Sequence, residues 1–207
     1  MSIHVIPTDS AAAPARLNPA TADAITAVLV GTEAAADRYG WDQPPLLFGL
    51  FDHVTADGGA VAVDPSIAEP DLWTTPDPRR PGVALPVPVI LHRFTTDLTN
   101  PAARRWLDGW LHTGGRTCVG MGLVFEMWVG PRRPGYRYGD LAKAPAALRR
   151  EARIVAAMDT DLTLHRVARV RGADTPHVDR WAHLPAGIRH RRVVAALHRL
   201  VHIARGH

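Results

Sequence analysis

The chain has 207 residues, 46% of them hydrophobic and 21% charged, with one cysteine and a formal net charge of +4. That length suits one domain with a substantial core and is short for two, and a single cysteine excludes an internal disulfide framework. No run approaches the roughly 18 apolar residues of a membrane span. Residues 1–14 show neither a basic start nor an apolar core, so no signal peptide is expected and the expected setting is cytoplasmic.

In chain order, residues 1–17 read as a loose N-terminal arm with a short strand at Ile3 to Ile6. Asn18-Pro19 is a helix cap followed by a first helical residue. The helix runs to about Tyr39, with Ala22, Ile25, Val28, Leu29, Ala36 and Tyr39 near one face and Gly31 in its middle, where a bare backbone would allow close packing. Gly40 suits the left-handed position past a helix end. Two prolines, Pro44 and Pro45, then turn the chain into Leu46 to Phe51, an apolar run that suits a central strand covered on both faces. Asp57-Gly58-Gly59 marks a turn, and Ala60 to Val63 a short return strand.

Residues 64–88 are rich in proline and read as an extended surface loop. Val83 to Leu91 is an edge strand, because Pro86 and Pro88 remove ladder donors. Asn100-Pro101 opens a short helix to about His112, which Gly114-Gly115 ends. Cys118 to Val129 is the clearest strand. Odd positions from Val119 to Val129 fall on one face, and even ones from Cys118 to Trp128 on the other. A basic loop, Pro131 to Pro145, follows. Ala152 to Met158 and Thr163 to Val170 form a hairpin about Thr160-Asp161. The last helix, from about Ala186 to Arg205, places Val193, Leu197, Leu200 and Ala204 on its apolar side. The expected fold is α+β: residues 18–207 as one domain, built on a single mostly antiparallel sheet of four to six strands with helices mainly on one face.

Tyr39-Gly40-Trp41-Asp42-Gln43-Pro44-Pro45, followed by Leu47-Phe48, resembles the signature of an uncharacterised family of small actinobacterial proteins. A second segment is similar to that family's late strand, turn and strand: Glu151 to Ala157, Asp159-Thr160-Asp161, then Arg169-Val170-Arg171-Gly172. The two cover about a quarter of the chain. Two departures stand out: the proline-rich stretch replaces an acidic middle, and Leu162 stands where the resemblance implies glycine. The family has no established activity, so it implies no catalytic residues.

Charge is split along the chain. Residues 1–129 hold 8 Lys or Arg against 14 Asp or Glu, and residues 130–207 hold 16 against 6. An acidic half joined to a basic half points to an acidic protein or nucleic acid as partner. The arginines that would meet it are Arg132, Arg133, Arg137, Arg153, Arg166, Arg169, Arg191 and Arg199, with Tyr136, Tyr138 and Trp181 available for stacking. Trp41 adds a candidate clamp at its corner. The apolar side of the last helix offers an alternative, a homodimer contact.

Enzymatic readings are thinner. Glu126 lies on a strand between Val124 and Trp128. Buried alone, its carboxyl would titrate high and mark a site; the more ordinary outcome is pairing with a later arginine. Glu126, His165 and the Trp41 corner form the alternative, an enzyme site, with Asp159 and Asp161 near His165 as further carboxylates. His198 and His202, four residues apart on a helix, are half of many zinc sites, but arginine neighbours and the lack of a third ligand favour a solvated face. Cys118, at the head of an apolar strand, reads as an inert thiol. No phosphate loop, serine elbow or Cys-x-x-Cys pair occurs, and no cofactor is expected. The favoured reading is a non-enzymatic binding or regulatory protein; a structural or assembly subunit is a further alternative.

Overall fold

The computed structural model describes residues 16–55, 58–65, 67–129, 150–185 and 191–206. The strand expected at Ile3 to Ile6, most of the N-terminal arm and the loop carrying Arg132, Arg133, Arg137, Tyr136 and Tyr138 lie outside the described residues. Six strands form one sheet: β1 (Leu46–Thr55), β2 (Gly58–Asp64), β3 (Thr117–Val129), β4 (Arg150–Asp159), β5 (Leu164–Val170) and β6 (His177–Trp181). Their order is β2-β1-β3-β4-β5-β6, and every neighbouring pair is antiparallel. The α-helices among the described residues are α1 (Pro19–Arg38), α2 (Val87–Asp97), α3 (Pro101–Leu111) and α4 (Arg192–Ala204). The fold is α+β, as expected.

Local signals act where they stand. The Asn18 side chain accepts from the Ala20 amide at 3.0 Å, and the Asn100 side chain from the Ala102 amide at 2.9 Å; each is followed by proline at the first helical position. Gly40 has φ +85°, so the turn into β1 uses the left-handed conformation glycine adopts without penalty. Tyr39, expected near the buried face, caps the helix instead and is 78% exposed. Gly31 meets no atom within 4 Å of a built Cβ, so its absent side chain serves no close packing.

The sheet is covered on both sides. On one, Ile25 and Leu29 of α1 pack on Phe48, Leu50, Val124, Val155, Ala157 and Val167. On the other, α2, α3 and α4 bury Leu47, Phe51, Met121, Leu123, Ala156, Met158 and Leu164 under Ile90, Leu91, Leu107, Leu111, Leu197 and Leu200. Three of the four helices therefore share a face. Phe48 lies over Gly122, where an added Cβ would come within 2.2 Å of its ring; β1 and β3 close up there because glycine leaves the space.

Several expectations change in place. The apolar side of α4 is spent on this core, with Leu197, Leu200 and Val201 fully buried, so it cannot also be a homodimer contact. Of the residues read as an edge strand at 83–91, Ala84 makes an isolated bridge with Pro76, but those from Val87 on instead open α2: Pro86 caps it and Pro88 sits in its first turn, where a missing amide hydrogen costs nothing. The proline-rich stretch is more than surface. Ile67 and Trp73 enter the core, and a 3₁₀ turn spans Pro70–Thr74. In β3, Leu50 faces Gly120 while Phe51 faces Cys118, which leaves Val119 as a one-residue bulge. The bulge inverts the alternation. Val119 joins the α1 side, whereas Cys118 packs on the opposite core. The sixth strand, β6, was not legible as one.

Candidate functional site

Charge is concentrated under α1. Ile25, Leu29 and Glu33 follow one another at four-residue steps, so the line that buries two apolar side chains also buries a carboxylate. Glu33 is fully buried and accepts from Arg169 Nε at 2.8 Å and Nη2 at 2.7 Å. These hydrogen bonds push the Arg169 guanidinium further above its ordinary pKa. Arg153, on the neighbouring strand opposite Arg169, is also fully buried. It lies 3.1 Å from Asp37, 3.2 Å from Glu126 and 3.6 Å from Glu33, and donates to the Gly40 carbonyl.

The Gly40–Gln43 corner closes over this network. The Arg153 guanidinium sits 4.5 Å from the Trp41 ring centre and that of Arg171 5.2 Å. The Asp42 amide donates to Glu126 at 2.7 Å, while Arg171 bridges Asp42 at 3.3 Å and Glu151 at 2.6 Å. Glu126 is thus the acceptor of an arginine and an amide. That is a structural carboxylate, not a free acid or base. Trp41, expected as a candidate clamp, is engaged by two arginines of its own chain. Asp42, Glu126 and Glu151 do offer oxygens within 4.8 Å of one another, yet Arg153 and Arg171 already neutralise them.

A second polar group occupies the other end of the same face. His165 Nε2 lies 3.0 Å from Asp159 Oδ2, and its Nδ1 lies 2.9 Å from Thr26 Oγ1. The Thr163 amide donates to Asp159 Oδ1 at 2.8 Å. Carboxylate, imidazole and hydroxyl in a row have the order of a nucleophile relay. Here His165 and Asp159 are buried. Two surface cavities of about 170 and 600 Å³ are lined by other residues, around Cys118 and around Asn100. The row therefore works as a strut between α1 and the β4–β5 hairpin. Asp161 is separate, accepting from the Leu17 amide.

Glu126 and His165 do not converge. Ala157 faces His165 and Arg153 faces Arg169, four strand positions apart or about 13 Å. The network around Glu33 was missed in the sequence, although the 25-29-33 spacing was there to be seen.

Among the described residues, three arginines of the expected surface, Arg153, Arg166 and Arg169, are paired within the protein. Arg153 and Arg169 bind Glu33, Arg166 pairs with Asp179, and Arg180 pairs with Asp23 at 2.8 Å. Arg166 also stacks on Trp181, whose ring is thereby occupied. On α4 the pattern differs. No acidic residue lies in the helix, and among the described residues no carboxylate pairs with the guanidinium groups of Arg192, Arg199 or Arg205. Arg191 and Arg192 are exposed at its start; Arg199 is exposed and lies 3.2 Å from His92 Nδ1 of α2. His198 and His202 bring their Nε2 atoms within 3.3 Å, and burial, with the neighbouring His202, lowers the His198 pKa.

Cys118 is inert by its surroundings. Burial pushes its thiol up to about 11, against weaker opposing effects of the Gly120 backbone and Arg116. No helix among the described residues is long and apolar enough to cross a membrane. Compared with known proteins, the chain matches no family model, no curated protein and no solved structure.

Proposed function

We propose that the chain is a non-enzymatic, cytoplasmic binding protein whose partner is a polyanion, with nucleic acid as the form to test first. The contact surface in this reading is the outer side of α4, with Arg192 and Arg199, continued by His92 of α2. One observation carries it: among the described residues these guanidinium groups have no carboxylate partner of the kind that occupies the sheet arginines. Charges already paired within the protein have little left for an external phosphate, whereas solvated ones release counterions from it. Arg153, Arg166 and Arg169 are already paired within the protein, so the binding should be sequence-independent and modest. The pairing of Glu126 with Arg153 and the burial of His165 and Asp159 favour this reading over the alternative enzyme site.

The test is retention of mixed single- and double-stranded DNA and RNA across a salt series. Binding at low salt that vanishes at high salt supports the reading, and Arg192→Gln with Arg199→Gln should reduce the salt slope by about 2. Negligible retention at low salt, or an unchanged slope in the double variant, would remove it.

A further inference from the structure

The two histidines of α4 carry a second property that does not depend on a polyanionic partner. We infer that His198 and His202 form a bidentate site for a late first-row transition-metal cation, with water filling the other coordination positions. The spacing is the first ground. Their Nε2 atoms lie 3.3 Å apart. Two imidazole nitrogens each roughly 2.0–2.1 Å from a tetrahedral cation stand about 3.3–3.4 Å from one another. The rings are tilted by 54° with centroids 4.4 Å apart, so they do not stack face to face.

Rigidity is the second ground. Four residues make one helical turn, which puts both side chains on the same line of α4. The opposite side of that helix is locked into the core by Leu197, Leu200 and Val201, each fully buried. A site whose backbone is already held loses less freedom when it closes on a ligand.

Donor chemistry selects the ion. Imidazole suits copper, nickel and zinc, while calcium and magnesium want oxygen. Among the described residues no third histidine, cysteine or carboxylate joins the pair, since the one three-donor group is Asp42, Glu126 and Glu151. The site is therefore exchangeable rather than a structural zinc centre, which needs four protein ligands. Arg199 and Arg205 flank it and weaken its hold on any cation. Affinity should follow the usual order, with Cu(II) above Ni(II) and Zn(II).

The test uses the untagged full chain near neutral pH, titrated calorimetrically with Ni(II), Zn(II) and, as a control, Mg(II). One equivalent of Ni(II) or Zn(II) should bind and Mg(II) should not. His198→Gln and His202→Gln should each weaken that binding at least about tenfold, and His92→Gln should leave it unchanged. Binding that survives in both α4 variants, or wild-type protein that takes up no Ni(II) or Zn(II), would overturn the assignment. In case a variant folds poorly, Zn(II) added to the wild type is followed by NMR. The imidazole signals of His198 and His202 should move first, and first movement at other histidines would also overturn it.

Discussion

Glu33 of α1 and Arg169 of β5, 136 residues apart in sequence, meet fork to fork at 2.7 and 2.8 Å beneath the helix, with the carboxylate wholly shielded from water. A buried charge needs its partner, because removing one member leaves the other desolvated and unbalanced. Arg153 also reaches this carboxylate, at 3.6 Å, but keeps Asp37 and Glu126 at 3.1 and 3.2 Å, so the loss would fall mainly on Arg169. Glu33→Gln keeps the shape and removes the charge. It should cost about 3–5 kcal/mol, read as a lower urea midpoint at unchanged slope. A shift below about 0.5 kcal/mol would mean that water or Asp37 balances the arginines, and the network would lose its place as the anchor of α1.

This pair also marks what the sequence conceals. Caps and helix ends are local, so Asn18, Asn100 and Gly40 were legible, and with them the start of every helix that an Asn-Pro step opens. The prolines at 86 and 88 were equally visible but ambiguous, because a residue without an amide hydrogen suits both an edge strand and a first helical turn. The Val119 bulge was invisible. β3 alternates without a flaw as a string, and only its register against β1 shows the extra residue. Arginine pairing was the costliest gap. Thirteen residues separate Arg166 from Asp179 and over a hundred separate Arg169 from Glu33, so the sequence could not show which arginines of the basic half are already paired within the protein.

Gly31 stands in the middle of α1, exposed, with nothing within 4 Å of the position a methyl group would take. Alanine there restricts the unfolded chain and favours the helix at no steric cost. Gly31→Ala should raise stability by about 1 kcal/mol, measured by thermal or urea unfolding. A loss of stability would show that some neighbour does pack against this glycine.

Leu162 closes the β4–β5 hairpin with φ +65°, the conformation glycine would supply and the one the resemblance leads one to expect there. Its side chain packs on the core margin, which offsets part of the strain. Alanine at this position keeps the strained backbone and loses the packing; glycine loses the packing but relieves the backbone. Leu162→Gly should therefore be more stable than Leu162→Ala by about 1 kcal/mol, the reverse of the order in a helix or strand. If alanine proves the better substitute, the backbone at this turn is not left-handed.

Cys118 gives the pH-dependent case. The thiol hydrogen-bonds toward the Gly120 carbonyl at 3.4 Å and lies 4.0 Å from the Met121 sulfur, with burial outweighing the pull of Arg116. Its pKa rises from 9.0 to about 11, so at neutral pH the reactive thiolate is scarcer than in an open cysteine. Alkylation of the native chain should be slow at neutral pH and climb only as pH approaches about 11, whereas the urea-unfolded chain should react as a free thiol does. The same shift acts on stability. The unfolded thiol ionises from about 9.0 while the folded one stays protonated, so the folded state is unaffected below that pH and loses stability as pH rises from 9.0 towards about 11. Cys118→Ala or Cys118→Ser should flatten that alkaline decline. Rapid labelling of the native wild type at neutral pH would instead place Cys118 at an accessible, activated position, and would reopen the small cavity it shares with His112 and Arg116 as a reactive site.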